Sequence, residues 1–279
     1  MNIITLSTIP TRFKLIGETL ESLLQQTADI DRIILYIPQS YRRFPDYDGH
    51  LPDVPKGVEI ARCEEDLGPA TKILPALRAF QGQDVNILFC DDDRLYQPGW
   101  AQALLDAGEK HPGCAITISI LIASEHGADG FTPTREPRAV FNPKNRDVAY
   151  RLKRIWSQLD VLSLYTSKNK PARKVLKSSG YADIFEGVSG VLVRPEFFDA
   201  LVFDIPKKLW AVDDVWLSGH VTRLGIPIWA TAEIHSSIET PVHNLTPLHT
   251  ATIDGLQRDD ANATCIQYFR DTYGVWADN

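Results

Sequence analysis

Three consecutive acids, Asp91, Asp92 and Asp93, close the apolar run at residues 85–90. Carboxylates that close repel one another unless positive charge sits among them, and magnesium or manganese, hard cations that take oxygen ligands, would meet that need. On an extended chain Asp91 and Asp93 point the same way and can share the ion, while Asp92 points elsewhere. A solvated acidic turn, or a cap for a helix beginning near Gly99, accounts for the same residues without a metal.

Three further stretches carry possible chemistry. In DLGPATK, residues 66–72, Gly68 and Pro69 make a turn, and a helix starting there offers free amides to an anion, with Lys72 one turn in. The plainer reading is a turn followed by a surface lysine. In AVDDVWLSG, residues 211–219, Asp213 and Asp214 open an apolar helix. They serve there as a cap favoured by the helix dipole, or as a carboxylate that takes a proton from an incoming hydroxyl. In GVSGV, residues 187–191, a valine stands where a nucleophile elbow needs its second glycine, so Ser189 is no hydrolase nucleophile. Gly187 and Gly190 instead let backbone approach a ligand. His243 and His249 lie in the loop PVHNLTPLH, and either could complete a metal shell begun by Asp91 and Asp93. No HxH or HExxH spacing supports a separate zinc site.

The elements that must position these residues alternate along the first half. Strands are predicted at 3–7, 32–37, 58–62, 85–90 and 114–120. Helices are predicted from 13 to about 26, over 69–80 and over 99–110, from apolar residues at helical spacing. Such alternation predicts a mainly parallel sheet with helices on both faces, whose ligands bind beyond the carboxyl ends of the strands. Later come a strand at 187–194, a helix around 195–201, a helix at 215–224 ended by Gly225, a strand at 227–230 and a helical tail through Ile266, Phe269 and Tyr273. Between them, residues 144–177 carry ten Lys or Arg against two acids, Asp147 and Asp160.

The chain has 279 residues and a net charge of −7, which argues against general nucleic-acid binding. Cys63, Cys90, Cys114 and Cys265 are widely spaced and suit reduced thiols in a cytoplasmic protein. No apolar run approaches the roughly 20 residues of a membrane-spanning helix. A metal-dependent phosphatase or nucleotidyltransferase, or a non-catalytic sugar-nucleotide or glycan-binding protein, would also place acids at strand ends. The phosphatase reading is weakened because the first strand, IITLSTIP, ends without an aspartate.

Taken in order, TLSTIPTR, DLGPATK, LFCDDD, GVSGVLVRPEFF and AVDDVWLSGHVTRLGI resemble the GT-A glycosyltransferases related to glycosyltransferase family 2. The resemblance implies one GT-A-like, Rossmann-like α/β domain over 1–279. Residues 1–123 would be its nucleotide-sugar-binding half, 124–180 a basic insert, and 181–279 an acceptor and catalytic half with a closing tail. It implies an enzyme that moves a sugar, with inversion, from a nucleotide-sugar donor of the UDP type to a saccharide or glycolipid acceptor. Thr8, Pro10 and Arg12 would line the nucleobase and ribose, Asp66 and Lys72 would lie near the nucleotide, and Asp92 would support the donor. Asp91 and Asp93 match the family's DXD motif for manganese or magnesium. Gly187, Ser189 and Gly190 would approach donor or acceptor, and His243 would be a further metal ligand. Asp214 matches the general base of an acidic pair whose first member, Asp213, is more often glutamate, which leaves open which acid is the base. The basic segment 144–177 reads either as an acceptor-binding region making peripheral contact with the inner membrane surface, or as a solvated lid or surface helix.

Overall fold

β-Branched and leucine-rich runs at Asn2–Ser7 (β1), Arg32–Pro38 (β2), Val58–Cys63 (β3) and Asn86–Phe89 (β4) form one half of an eight-stranded sheet in the computed structural model. The structure describes residues 1–279 except 144–146, 148–149, 153–154, 156–171, 241, 243–244, 246–254, 256 and 279. Ala115–Thr117 (β5), Gly180–Ala182 (β6), Val191–Val193 (β7) and Ile228–Ala230 (β8) complete the sheet, in the spatial order β6-β8-β5-β7-β4-β1-β2-β3. β1 pairs in parallel with both β2 and β4, β2 with β3, and β5 with β8. Only β7 and β6 run against the others. The mainly parallel sheet flanked by helices agrees with the alternation in the sequence.

Period-two alternation sorts the strand residues onto two faces. Ile3, Ile34, Ile87, Phe89, Val191 and Val193 enter one core, and Ile4, Leu6, Ile33, Leu35, Leu88 and Leu192 enter the other. Five α-helices are described: Gly17–Leu24 (α1), Leu74–Ala79 (α2), Trp100–Lys110 (α3), Asp213–Arg223 (α4) and Arg258–Tyr273 (α5). The apolar stripes of α1 and α3 cover one face, while α2, α4 and α5 cover the other. α4 can lie tight on α5 because Gly219 has no Cβ; one added there would come within 2.5 Å of the Phe269 ring.

Several predicted elements are divided. The helix expected over 69–80 is a 3-10 turn, Gly68–Lys72, then α2, broken where Ile73 leaves helical geometry at φ −133°. The strand expected over 187–194 is a tight turn, Gly187–Ser189, followed by β7, and the helix near 195–201 is two short 3-10 turns. A ribbon pairs Arg94–Leu95 with Ile238–Glu239, a long-range contact that neither segment announces. Thr240 donates from its backbone N and its Oγ1 to the Asp93 carbonyl, 3.0 Å each, and so ties the later chain to the acid loop.

Candidate functional site

Beyond the carboxyl ends of β1, β2, β3 and β4 lies a cleft of about 420 Å³. Thr8 and Ile9 follow β1 into it, Tyr41, Arg43 and Phe44 follow β2, Asp66, Gly68 and Pro69 follow β3 and Asp91–Arg94 follow β4, the place that parallel α/β topology reserves for ligands. The opposite wall is supplied by Glu186, Val188, Trp210, Asp213, Asp214 and Arg258.

β4 ends at Phe89, and the triplet does not stay extended. Residues 92–93 form a turn, so the alternation that would point Asp91 and Asp93 the same way is lost. Asp92 points inward. It accepts from the Thr8 hydroxyl and, at 2.5 Å, from Arg12 Nη1, and its carbonyl accepts from Thr19 Oγ1 at 2.9 Å. Arg12 Nη1 also stands 3.2 Å from Asp93 Oδ2, and Arg94 Nε 3.5 Å from Asp93 Oδ1. Burial, reinforced by the charges of Asp93 and Asp91, still pushes the Asp92 carboxyl up to about 6 against the pull of Arg12. Asp91 is the most open of the three, with its side chain 30% exposed. Its backbone is fixed by Tyr96, whose hydroxyl accepts from Asp91 N and donates to Asp91 O.

Lys72 joins the triplet to the later pair. Buried in the turn before α2, its Nζ lies 2.6 Å from Asp91 Oδ1 and 2.9 Å from Asp213 Oδ2. Burial opposes its charge, but Asp213, Asp91 and Asp214 together hold the ammonium well above the ordinary lysine range. For Asp91, likewise, burial is outweighed by Lys72, and the carboxyl sits below its usual range. This is the feature that overturns the reading of Lys72 as a surface residue.

Asp213 and Asp214 open α4, as expected, yet they differ. Asp213 is turned toward Lys72, and its side chain is 2% exposed. Asp214 accepts from Gly187 N at 2.9 Å and from Arg258 Nη2 at 3.3 Å, and its side chain retains 10% exposure. Burial and the neighbouring Asp213 push its carboxyl up to about 7, against Lys72 and Arg258. A carboxylate titrating there suits proton transfer near neutrality.

The remaining predicted residues divide. Thr8, Arg12, Asp66, Lys72, Asp91, Asp92, Asp93, Asp213 and Asp214 all line the cleft. Asp66 accepts from Arg42 N at 2.7 Å and Gly68 N at 2.9 Å, and burial raises its carboxyl. Pro10, Gly187, Ser189 and Gly190 are not part of the lining. Pro10 starts the 3-10 turn that aims Arg12. Gly187 leaves room for Lys72, whose Nζ would stand 2.6 Å from an added Cβ. Gly190 has φ +93°, and its missing Cβ makes way for Trp100, which donates from Nε1 to the Ser189 carbonyl at 2.7 Å. The glycines do permit close approach, but by protein side chains. His243 and His249 lie outside the described residues.

Sequence reasoning missed Arg258, Trp210 and Glu186. Arg258 is raised above its usual value because Asp214, Asp213 and Asp91 outweigh its burial. A single arginine opening a polar helix gives no signal of that. Trp210 donates from Nε1 to the Asp66 carbonyl at 2.9 Å and rests on Gly68, linking the two walls. Its position just before AVDD was the available clue. Glu186 accepts from Ser119 Oγ, and burial raises its carboxyl.

Eight carboxylates line the cleft against five Lys or Arg side chains. An anionic ligand therefore meets excess negative potential unless a cation accompanies it. Among the described residues no group of three or more His, Cys, Asp or Glu forms a ready metal site. Asp91 and Asp93 both line the cleft, Asp91 with Lys72 Nζ at 2.6 Å and Asp93 between Arg12 and Arg94, and magnesium is habitually held by as few as one or two carboxylates plus water and substrate phosphates.

The family model for glycosyl transferase family 2 matches residues 9–160. Among solved structures, a crystal structure of S. aureus TarS residues 1–349 aligns with TM-score 0.43 and 12% identity, over 98% of this chain and 72% of that one. The same TarS fragment in complex with UDP aligns with TM-score 0.42 and 13% identity, over 85% of this chain and 59% of that one. No curated protein matches.

Proposed function

Because the chain belongs to glycosyl transferase family 2 and is a glycosyltransferase, we propose that it transfers a sugar from a nucleotide-sugar, with UDP as the carrier, to a saccharide or glycolipid acceptor with inversion at the anomeric carbon. One observation carries the reading: Asp214, with a carboxyl pushed up to about 7, faces the same cleft as the acid loop after β4. On this reading the proton acceptor and the diphosphate take opposite walls of one cavity.

In this reading residues 1–123 hold the donor, with Thr8, Arg12, Asp66 and the aromatic Tyr41 and Phe44 around the nucleoside. Asp91 and Asp93 would hold a divalent cation, manganese or magnesium, which when bound neutralises charge on the departing diphosphate. Arg12 and Thr8 keep Asp92 turned inward and so fix the loop. The acceptor hydroxyl bonds to the anomeric carbon as the bond from that carbon to the diphosphate oxygen breaks. Asp214 takes the hydroxyl proton. Asp213 is assigned the supporting part, because it is turned onto buried Lys72 at 2.9 Å and fixes the start of α4. The four free thiols suit a cytoplasmic setting.

The test is a set of nucleotide-sugars with and without manganese, read by thermal stabilisation and by donor hydrolysis. The wild type should be stabilised by a UDP-sugar only with the metal. Asp93→Ala should lose that stabilisation, and Asp214→Asn should keep it while turnover falls about 10²–10⁴-fold, the range for a general base. Metal-independent donor binding, or full turnover in both variants, would sink the mechanism.

A further inference from the structure

Leu121, His126, Glu186, Asp259 and Asn262 line the cleft but take no part in the proposed transfer step. Three segments bring them to one corner. Ile120–Leu121 pairs antiparallel with Ile184–Phe185, and Glu186, the next residue, donates from its N to the Ser119 carbonyl at 2.9 Å. A 3-10 turn at Ala123–Glu125 delivers His126. Gly127 then seats this turn on α5, where an added Cβ would stand 3.2 Å from the Cβ of Ala263, the residue after Asn262. The corner adjoins Asp214. Its carboxylate is held by Gly187 N and Arg258 Nη2, from the residues next to Glu186 and Asp259.

Hydrogen-bonding capacity is left over in this corner. Glu186 takes the Ser119 hydroxyl on Oε2 alone, which leaves Oε1 to a ligand. Asn262 is 4% exposed, and its Oδ1 has no hydrogen-bond partner among the described residues. A buried amide oxygen is costly to leave unpaired. Positive charge, by contrast, is already spent. Among the described residues of this corner the cation is Arg258, which stands 3.3 Å from Asp214, 3.9 Å from Asp213 and 3.2 Å from the Ala211 carbonyl that it donates to.

We infer that this corner seats the acceptor, and that the acceptor presents to it an uncharged saccharide whose hydroxyls bond to Glu186 and Asn262. The inference rests on the transfer reading and narrows it. A general base must reach the hydroxyl it deprotonates, so the acceptor lies against Asp214, with the nucleotide on the strand-end wall opposite. Sugar hydroxyls both donate and accept, which suits a carboxylate beside an amide. Leu121 and Val188 offer apolar contact to the ring carbons, in the usual manner of a pocket with a few placed polar groups. A phosphate or carboxylate close to the reacting hydroxyl would instead meet Glu186 and Asp259 with no uncommitted cation to offset them.

The probes are neutral methyl glycosides and the matching sugar phosphates, given to the full chain with manganese and the UDP-sugar that stabilises it. Neutral glycosides should be glycosylated with kcat/KM at least about tenfold above their phosphates. Glu186→Gln and Asn262→Ala should each raise the KM for the glycoside about tenfold, with a smaller change in kcat and with donor-dependent thermal stabilisation retained. The denaturation midpoint of Asn262→Ala should hold or rise, because an unpaired acceptor is removed; a residue that only supports the fold would lower it. Glu186→Gln combined with Asp259→Asn should shrink the preference for the neutral glycoside. Equal or better use of the phosphates, a rise in donor KM alone, or no transfer to any neutral glycoside while the donor still binds would each overturn the acceptor assignment and leave the donor site standing. Absence of donor stabilisation in the wild type would remove the transfer reading itself, and the inference with it.

Discussion

The acid loop after β4 and the acid pair opening α4 are built on the same plan with different outcomes. Each has one carboxylate turned inward onto a buried cation, Asp92 on Arg12 and Asp213 on Lys72. Each leaves a neighbour toward the cleft, Asp91 and Asp214. The difference lies in how the outward acid is neutralised. Asp91 keeps a close ammonium and stays below the usual carboxylate range, which keeps it charged. Asp214 has the more distant Arg258 and is pushed up to about 7, ready to take a proton. The same residue type, buried in the same cleft, is shifted in opposite directions by the placement of positive charge, and on the proposed reading this separates a cation ligand from a proton acceptor.

The strongest way to break that division is to exchange its members. Asp214→Asn should lose turnover by the two to four orders of magnitude expected above. Asp213→Asn should instead show its main effect as a lower denaturation midpoint, because Lys72 loses one of its two ion partners. If Asp213→Asn abolished turnover without changing stability, the roles would have to be reversed. Lys72→Met should damage both clusters at once. Removing one partner of a buried ion pair costs about 3–5 kcal/mol, so urea denaturation should shift strongly and metal-dependent donor binding should weaken as well.

A subtler test uses pH. Asp214 binds its proton more tightly in the folded protein than in the unfolded chain. Its stabilising contribution is therefore fully present below the ordinary aspartate range and is lost as the pH rises through about 7. Asp214→Asn should accordingly be more stable than wild type at pH 8 and not at pH 5. The acid limb of kcat/KM in the free wild-type enzyme should lie near pH 7. A limb near pH 4 would remove the electrostatic basis for choosing Asp214. The smallest effect expected is for Thr8→Val, which deletes one hydrogen bond to Asp92 and should cost about 1–3 kcal/mol for the oxygen left with one partner fewer. Arg12 should keep the loop in place, so turnover at saturating donor should change little.

Much of the architecture is legible from local pattern. β1, β2, β3 and β4 are readable because an apolar run that stops at polar residues has few alternatives to a buried strand. The helices α3 and α4 show their apolar spacing and their acidic or glycine boundaries. The division at Ile73, the turn at Gly187–Ser189 and the ribbon between Arg94–Leu95 and Ile238–Glu239 are not legible. The turn and the ribbon are imposed by partners distant in sequence, against which local propensity is weak, whereas the division at Ile73 goes with Pro75, whose missing N–H starts α2 afresh. The sequence points Gly187 and Gly190 at a ligand, whereas their missing Cβ atoms make room for Lys72 and Trp100.

For the site, residue types and their spacing settle which carboxylates are available and that they stand at a strand end and a helix start. Those are properties of residue type and of periodicity over a few positions. That Lys72 is buried between Asp91 and Asp213, that Arg12 claims Asp92 and that Arg258 reaches Asp214 follow from the folded packing alone. The physical reason is that a carboxylate's behaviour depends on burial and on charges within a few ångströms, and those neighbours come from segments that meet only when the sheet and its helices pack.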